Sequence, residues 1–294
     1  MVTMRPLGTT GVQVSTIGHG LWGMGSWTGS NDDDSLASLS RSFSAGCNFF
    51  DSAITYGDGR SDRLIGRLIA GVARGTVIAA SKVPPANGRF PGGSIEEDFE
   101  ELFPLEHVLG AAAQLLASFG VERLDLLQLH VWDDRWASSP RFAELVTELK
   151  GRGLIRNFGI SLNRWEPNNG VAAVESGLVD TVQVVYNILC QAPEDALFPA
   201  CREHGVGVIA RVPLDEGSLA GVLTAETSFP DGDWRSGYFN PRNLPQTLER
   251  VERIRAELPP GMQLDELALR FVLSNDAVST VLVGMRRPEH IDRN

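Results

Sequence analysis

The sequence predicts a (β/α)8 barrel (TIM barrel), and three observations lead to it. Eight short β-branched runs alternate with amphipathic helical stretches, which is typical of parallel βαβ units. Runs such as VIAAS and TVQVV are apolar on both faces, as strands covered by helices on both sides must be. A closed barrel needs eight such strands, and the count of eight favours it over an open doubly wound sheet.

The elements follow one another in a regular order. A Gly-punctuated opening at residues 7–15 predicts a β-hairpin, and no linker divides the chain, so we expect a single domain over 1–294. The predicted strands are STIGHGLW, CNFFDS, GTVIAASK, LDLLQLH, IRNFGIS, DTVQVVY, VGVIARV and STVLVG. The predicted helices are 33–45, 61–70, 105–119, 140–150, 165–176, 194–204, 244–257 and 264–274. Two insertions, 84–103 and 215–243, follow strands and are expected to form long loops on the catalytic face.

Composition excludes several classes of function. The net charge of -11 argues against a nucleic-acid partner and against an anionic membrane surface. The sequence has no run of about 18 apolar residues and no apolar N-terminal segment, so a cytoplasmic protein is expected. The cysteines Cys47, Cys190 and Cys201 lie far apart in apolar contexts, which predicts buried free thiols and neither disulfides nor a metal site.

Four polar residues stand where predicted strands end. Asp51, followed by Tyr56, closes the second strand, while Lys82 closes the third and His130 the fourth. Each alone has a structural explanation, such as a cap or a packing residue, but in a barrel all four would meet on the C-terminal face. A nearby ammonium favours a phenolate, so Lys82, held by Asp51, is expected to lower the pKa of Tyr56. Together they predict a site that polarises and protonates a carbonyl oxygen while a hydride reaches the carbon.

These four residues resemble the catalytic tetrad of the aldo-keto reductases, and the resemblance covers essentially the whole chain. It is carried also by LGTTGVQVSTIGHGLWGMG, DSAITYG, GLIRNFGIS, QVVYN, PLDEGSLAG and VLVGMRRPEHIDRN. The resemblance implies a monomer-competent barrel that binds NADP(H) in an extended pose. It also implies that Tyr56 is the general acid, that Lys82 and Asp51 tune it, and that His130 orients the carbonyl.

The resemblance implies a set of cofactor-binding residues as well. Those near the nicotinamide, the pyrophosphate and the adenosine are Asp51, Ser161, Asn163, Gln183, Arg211, Leu214, Gly217, Ser218, Leu219, Gly284, Arg286, His290 and Asn294. Arg286 and His290 match positions around the 2′-phosphate, and an arginine suits a phosphate dianion, so NADPH is predicted over NADH. The alternative is that Arg286 and Arg287 only open a surface helix.

The sequence departs from the family pattern in three places. Members commonly have Ser-Asn after the fifth strand, whereas this chain has Ser161-Leu162-Asn163, so Asn163 is a candidate substitute. Arg211 replaces the aromatic residue that commonly stacks on the nicotinamide, and like charge on oxidised nicotinamide predicts a preference for reduced cofactor. The sequence ends at Asn294, where members normally continue into a tail that often touches substrate, so one wall of the pocket stays unassigned.

The substrate pocket is predicted to have aromatic walls around Tyr56 and His130. Trp22 and Trp132 follow the first and fourth strands, and Trp27 is a further candidate. Such walls suit aryl aldehydes, quinones or the faces of sugar rings and do not choose among them.

The leading hypothesis is an NADPH-dependent reductase of an aldehyde, ketone or keto-sugar, acting as a monomer or weak homo-oligomer on a small molecule. One alternative is a cofactor-binding regulatory module that resembles the β-subunits of potassium channels. The other is a dehydrogenase that runs the same chemistry in the oxidative direction.

Overall fold

Eight parallel strands close into a barrel in the computed structural model, which describes residues 2–25, 31–90, 95–230 and 233–294. A hairpin of β1 (Met4–Pro6) and β2 (Gln13–Ser15) precedes them. The barrel strands are β3 (Ile17–Gly20), β4 (Phe49–Asp51), β5 (Ile78–Val83), β6 (Leu124–Leu129), β7 (Ile155–Ser161), β8 (Thr181–Val185), β9 (Gly207–Arg211) and β10 (Val278–Gly284). Each pairs with the next, and β10 also pairs with β3. The predicted (β/α)8 barrel and its eight strands are confirmed.

The helices form the outer layer. They are α1 (Asp32–Ser44), α2 (Arg60–Ala70), α3 (Phe99–Leu102), α4 (Leu105–Phe119), α5 (Pro140–Gly151), α6 (Val171–Glu175), α7 (Leu197–His204), α8 (Arg235–Tyr238), α9 (Asn243–Ala256), α10 (Leu264–Ser274) and α11 (Pro288–Arg293). The helix predicted over 165–176 is wrong in its first half, where Pro167, Asn168 and Asn169 form turns. Helix α6 begins later, where the Asp134 carboxylate accepts hydrogen bonds from the backbone N–H groups of Ala172 and Ala173.

The hairpin closes the end of the barrel where the strands begin. Leu7 and Val14 are buried against inward-facing side chains of the barrel, namely Phe49, Ala80, Leu126, Ile209 and Leu282. Gly8 has φ 55° and lies so close to the backbone of Gly205 that a Cβ would sit 2.4 Å from its carbonyl oxygen. Because this apolar cluster covers the N-terminal ends of the strands, the C-terminal ends form the open, polar face of the barrel.

One segment, Phe99–Phe119, has the length and mean hydropathy (21 residues, 1.3) of a membrane span. It consists of two helices, α3 and α4, separated at Pro104. Helix α4 packs on β5 and β6 with Ala112 and Leu115 fully buried, which is the ordinary position of a barrel helix. Burial of the thiols is confirmed for Cys47 and Cys201, whereas Cys190 is half-buried.

Candidate active site

A buried ion pair lies at the centre of the open face. Asp51 and Lys82 occupy neighbouring strands and point into the barrel, and Lys82 Nζ lies 2.5 Å from Asp51 Oδ2. The ammonium also donates to the carbonyl oxygen of Ser52 at 2.7 Å. Lys82 is 0% exposed and Asp51 3%. An isolated charge buried to this extent would be very costly, so each group depends on the other.

Two glutamines hold the other oxygen of the same carboxylate. Asp51 Oδ1 accepts from Gln128 Nε2 at 3.1 Å and from Gln183 Nε2 at 2.9 Å, and Gln183 Nε2 lies 3.2 Å from Gln128 Oε1. Gln183, predicted as a cofactor ligand, therefore also orients Asp51. Sequence reasoning missed Gln128, although a polar residue two positions before His130 in LDLLQLH must face the same side of the strand.

Tyr56 and His130 complete the cluster. Tyr56 lies in the loop between β4 and α2, with its ring centroid 5.3 Å from Lys82 Nζ and 5.9 Å from the His130 ring. The Nδ1 atom of His130 is buried without a hydrogen-bond partner among the described residues. The structure thus brings together all four side chains that the strand ends predicted.

Two opposing effects act on the pKa of Tyr56. Burial raises the pKa of the Tyr56 hydroxyl, and the charges of Lys82 and Arg211 oppose this effect without overcoming it. Lys82 thus lowers the pKa as predicted, but burial outweighs this lowering, and the side chain is a phenol at neutral pH. Burial, followed by Lys82 and Arg211, holds the pKa of His130 well below 6.5, so the imidazole is neutral. The site consequently presents a protonated Tyr56 beside an uncharged N–H donor.

Arg211 brings a second cation to the site. It ends β9, and its Nη2 donates to the carbonyl oxygen of Leu162 at 2.9 Å, while its Nε is buried without a partner in the described parts of the chain. Burial and then the charge of Arg164 lower the pKa of Arg211. Arg164 itself pairs with Glu216 and stacks on Trp234, with its guanidinium carbon 4.5 Å from the ring centroid.

The chain after β9 has an unusual backbone in the segment predicted to lie beside the pyrophosphate. Val212, Asp215, Glu216 and Gly217 all have positive φ, with 59° at Val212, where a β-branched residue is a clear outlier. Three side-chain hydrogen bonds stabilise this backbone. Asn187 donates to the Val212 carbonyl oxygen at 2.9 Å, and the hydroxyls of Ser218 and Tyr238 donate to the Asp215 carboxylate at 2.7 and 2.6 Å. Strain of this kind persists where the surroundings hold it, and such turns can present backbone N–H groups to an anion.

The remaining predicted cofactor residues divide between the strand ends and the last helix. Ser161 is buried at the end of β7. The 3₁₀ turn Asp215–Ala220 contains Gly217 and the buried Ser218 and Leu219, and the half-buried Leu214 precedes it. Gly284 and His290 are exposed, and Arg286 and Asn294 are half-buried, around α11. Ion pairs of Arg41 with Asp292 and of Arg293 with Asp265 fasten this helix to α1 and α10.

Asn163 does not fit its predicted role as a carboxamide ligand. Its Nδ2 donates to the Trp132 carbonyl at 2.9 Å and to Glu166 at 2.8 Å, and its Oδ1 accepts from the Trp132 N–H at 3.5 Å. Both polar atoms are occupied in joining the loops after β6 and β7. Because Leu162 intervenes, the side chain belongs to the loop and not to the position next to Ser161.

The predicted pocket wall at Trp132 is wrong. Its indole is 0% exposed, packs on Trp136 and Phe142 with ring centroids 5.7 and 4.8 Å away, and donates to Asp134. A ring with no accessible surface cannot contact a substrate, so Trp132 belongs to the core outside the barrel. Trp27, the third tryptophan considered, lies outside the described residues.

Two aromatic side chains that sequence reasoning missed lie at the mouth instead. Phe90 is 48% exposed with its ring 4.9 Å from that of His130, and Trp234 makes an edge contact with Trp22, which is 39% exposed. The turn after Trp22 abuts Tyr56, since a Cβ on Gly25 would lie 2.7 Å from the Tyr56 backbone. Both missed residues belong to the long insertions 84–103 and 215–243, and that position is the signal that could have identified them.

Comparisons with known proteins match the chain along its length. The family model "Aldo/keto reductase family" matches residues 16–294. The NADH-specific methylglyoxal reductase of Escherichia coli (strain K12) is 27% identical over 98% of this chain and 91% of that protein. The pyridoxal 4-dehydrogenase of Microbacterium luteolum is 27% identical over 99% and 91%. The solved holo form of aldo-keto reductase AKR11C1 from Bacillus halodurans is 28% identical, with a TM-score of 0.78 over 100% of this chain and 90% of that one.

Proposed function

The chain belongs to the aldo-keto reductase family of oxidoreductases, and on that premise we propose that it is an NADPH-dependent reductase of aldehydes, ketones or keto-sugars with Tyr56 as general acid. The observation that carries the proposal is the buried Lys82–Asp51 pair with Tyr56 and His130 beside it. Four such groups around one position suit the protonation of a carbonyl oxygen.

The residues present fit a nicotinamide cofactor, the type of cofactor that this family uses. The Nε of Arg211, which has no partner among the described residues, offers a donor to an anionic ligand. Asp51, Ser161 and Gln183 would hold the nicotinamide end. When bound, the cofactor supplies the hydride that reaches the carbonyl carbon.

The chain's own residues supply the proton to the carbonyl oxygen and stabilise the negative charge that develops there. The neutral His130 donates an N–H to the carbonyl oxygen and so orients it. Tyr56 Oη gives its proton to that oxygen as negative charge develops there, and the nearby Lys82 ammonium stabilises the phenolate that remains. His130 is not the acid, because its lowered pKa leaves it without the second proton at neutral pH.

The test of this proposal is the consumption of NADPH with a panel of carbonyl compounds. Phe90 presents a half-exposed ring 4.9 Å from that of His130, so aryl aldehydes and phenylglyoxal should react with a higher kcat/KM than short aliphatic aldehydes. Keto-sugars and dicarbonyls complete the panel. Binding of NADPH without reduction of any member would contradict the proposal and favour a regulatory role.

The pH dependence of reduction follows from the two shifted groups. Tyr56 acts in its protonated form, and burial raises its pKa, so kcat should decline only as the pH rises above the usual tyrosine value of 10. His130 acts as a neutral donor, so no inflection is expected near 6.5. The oxidative direction needs the phenolate and is disfavoured at neutral pH for the same reason. A profile of kcat against pH in both directions measures this, and an inflection between about pH 6 and 8 in reduction would contradict it.

Preference for NADPH is expected to depend on Arg286. An arginine–phosphate hydrogen bond is charge-assisted, so Arg286→Ala should raise the Kd for NADPH about tenfold and leave that for NADH nearly unchanged. Fluorescence titration with both cofactors measures the ratio, with Arg253→Ala on the distant surface of α9 as control. Tighter binding of NADH than of NADPH by the unmodified protein, as the name of the Escherichia coli relative would suggest, would contradict the expected preference.

A further inference from the structure

Four polar side chains lie buried behind the catalytic ion pair. Ser52 directly follows Asp51 on the chain and Ser81 directly precedes Lys82, so strand alternation turns both serines outward, away from the barrel interior. Ser61 and Asp62, from the first turn of α2, meet them there, and all four are almost fully buried. A carboxyl group in such a layer is unusual, since burying a charge without a partner is costly.

The hydrogen bonds of this layer lead back to Lys82. Ser81 Oγ donates to Asp62 Oδ1 at 2.7 Å, and the hydroxyls of Ser52 and Ser61 lie 2.6 Å apart. Ser61 Oγ also lies 3.3 Å from the Tyr56 carbonyl oxygen. The carbonyl of Ser52 accepts the 2.7 Å bond from Lys82 Nζ, which places Ser52 between the layer and the ammonium.

Asp62 is coupled to the ion pair by charge and by one hydrogen bond. Burial raises its pKa, and the hydrogen bond from Ser81 and then the charge of Lys82 oppose this, while the charge of Asp51 adds to it. Asp62 Oδ2 accepts no hydrogen bond from the described residues, so the link by hydrogen bonding between Asp62 and the end of β5 runs through Ser81.

We propose that Asp62 is a positioning residue for the reduction, which fixes through Ser81 the end of β5 that carries Lys82. Without it Ser81 loses its acceptor, and the strand end that holds Lys82 Nζ beside Tyr56 is free to shift. The inference rests on the proposed roles of Lys82 and Tyr56. Misplacement of a catalytic group by about 1 Å can cost on the order of 100-fold in rate.

The experiment compares Asp62→Ala with Asp62→Asn. The Ala variant should lose about 10- to 100-fold in kcat, with KM and the cofactor Kd within about threefold of the unmodified protein, because binding groups are untouched. The Asn variant keeps an oxygen that accepts from Ser81, so it should recover kcat to within about threefold. Recovery by the Asn variant distinguishes positioning from a simple loss of stability.

Controls separate this inference from the function on which it rests. Asp125→Ala removes a carboxylate that accepts from the Ala79 N–H at 3.1 Å at the other end of β5, and it should lower Tm without lowering kcat. Ser81→Ala, which deletes the donor to Asp62, should reproduce part of the kcat loss and replaces Asp62→Ala if that variant does not fold. An unchanged kcat in Asp62→Ala would overturn the inference, and so would an unchanged kcat in Ser81→Ala if Asp62→Ala does not fold. A kcat of the Asn variant no higher than that of the Ala variant would overturn it as well. If Tyr56→Phe also keeps its activity, the proposed function itself fails; if Tyr56→Phe is inactive, only the role of Asp62 fails.

Discussion

Tyr56→Phe is expected to lower kcat for carbonyl reduction by about 10²- to 10⁴-fold, the range that a positioned general acid contributes. The change removes one oxygen and leaves the ring that packs 5.9 Å from His130, so the pocket keeps its shape. The phenol is the group in the site that can give a proton to the substrate at neutral pH, because His130 is neutral and Lys82 Nζ donates its hydrogen bonds to Asp51 and to the Ser52 carbonyl oxygen. Steady-state kinetics with the best substrate of the panel measures the loss.

The matched control for this variant is Tyr186→Phe. Tyr186 is one of three tyrosines in the chain, and its hydroxyl donates to Glu194 at 2.5 Å on the outer side of the barrel. Its loss should lower stability by about 1 kcal/mol and leave kcat unchanged. If Tyr56→Phe binds NADPH normally and keeps more than about a tenth of the activity, Tyr56 is not the acid.

Three members of the tetrad were predictable because strand geometry determines their positions. In parallel strands of a barrel, alternation fixes which side chains point inward, and the C-terminal ends of the strands lie on one face, so Asp51, Lys82 and His130 had to converge. The same rule would have included Gln128. The inward direction of a strand residue is thus available from sequence.

The errors concern residues outside the strands and properties that depend on burial. Trp132 follows a strand just as Trp22 does, but its loop turns the indole into the core, and no periodicity reports that turn. Phe90 and Trp234 reach the mouth from long insertions whose path depends on tertiary contacts. The pKa of Tyr56 rises because burial outweighs the charge of Lys82, and the sequence shows the charge but not the burial.

Lys82→Met is expected to be the most damaging single change, because it affects catalysis and folding together. The activity should fall at least as far as in Tyr56→Phe, since no ammonium remains to stabilise the phenolate. Stability should fall by about 3–5 kcal/mol, the usual cost of leaving one member of a buried ion pair unpaired. Urea unfolding measures this second effect, and Lys150→Met is the matched control. Lys150 is the other lysine of the chain, and its pair with Asp180 is partly exposed, so its loss should cost at most about 1 kcal/mol.

Combining Lys82→Met with Asp51→Asn separates the two effects. The Asp51→Asn change removes the buried charge but keeps an amide oxygen that can accept from Gln128 and Gln183, so the double variant should regain about 2 kcal/mol or more of the lost stability. Its activity should stay as low as that of Lys82→Met, because the ammonium is still missing. A double variant as unstable as Lys82→Met would mean that packing of the lysine stem, and not the unpaired Asp51, causes the loss. A recovery of stability without activity would show that this pair is maintained for the chemistry beside Tyr56, since two uncharged side chains can fill the same space in the barrel.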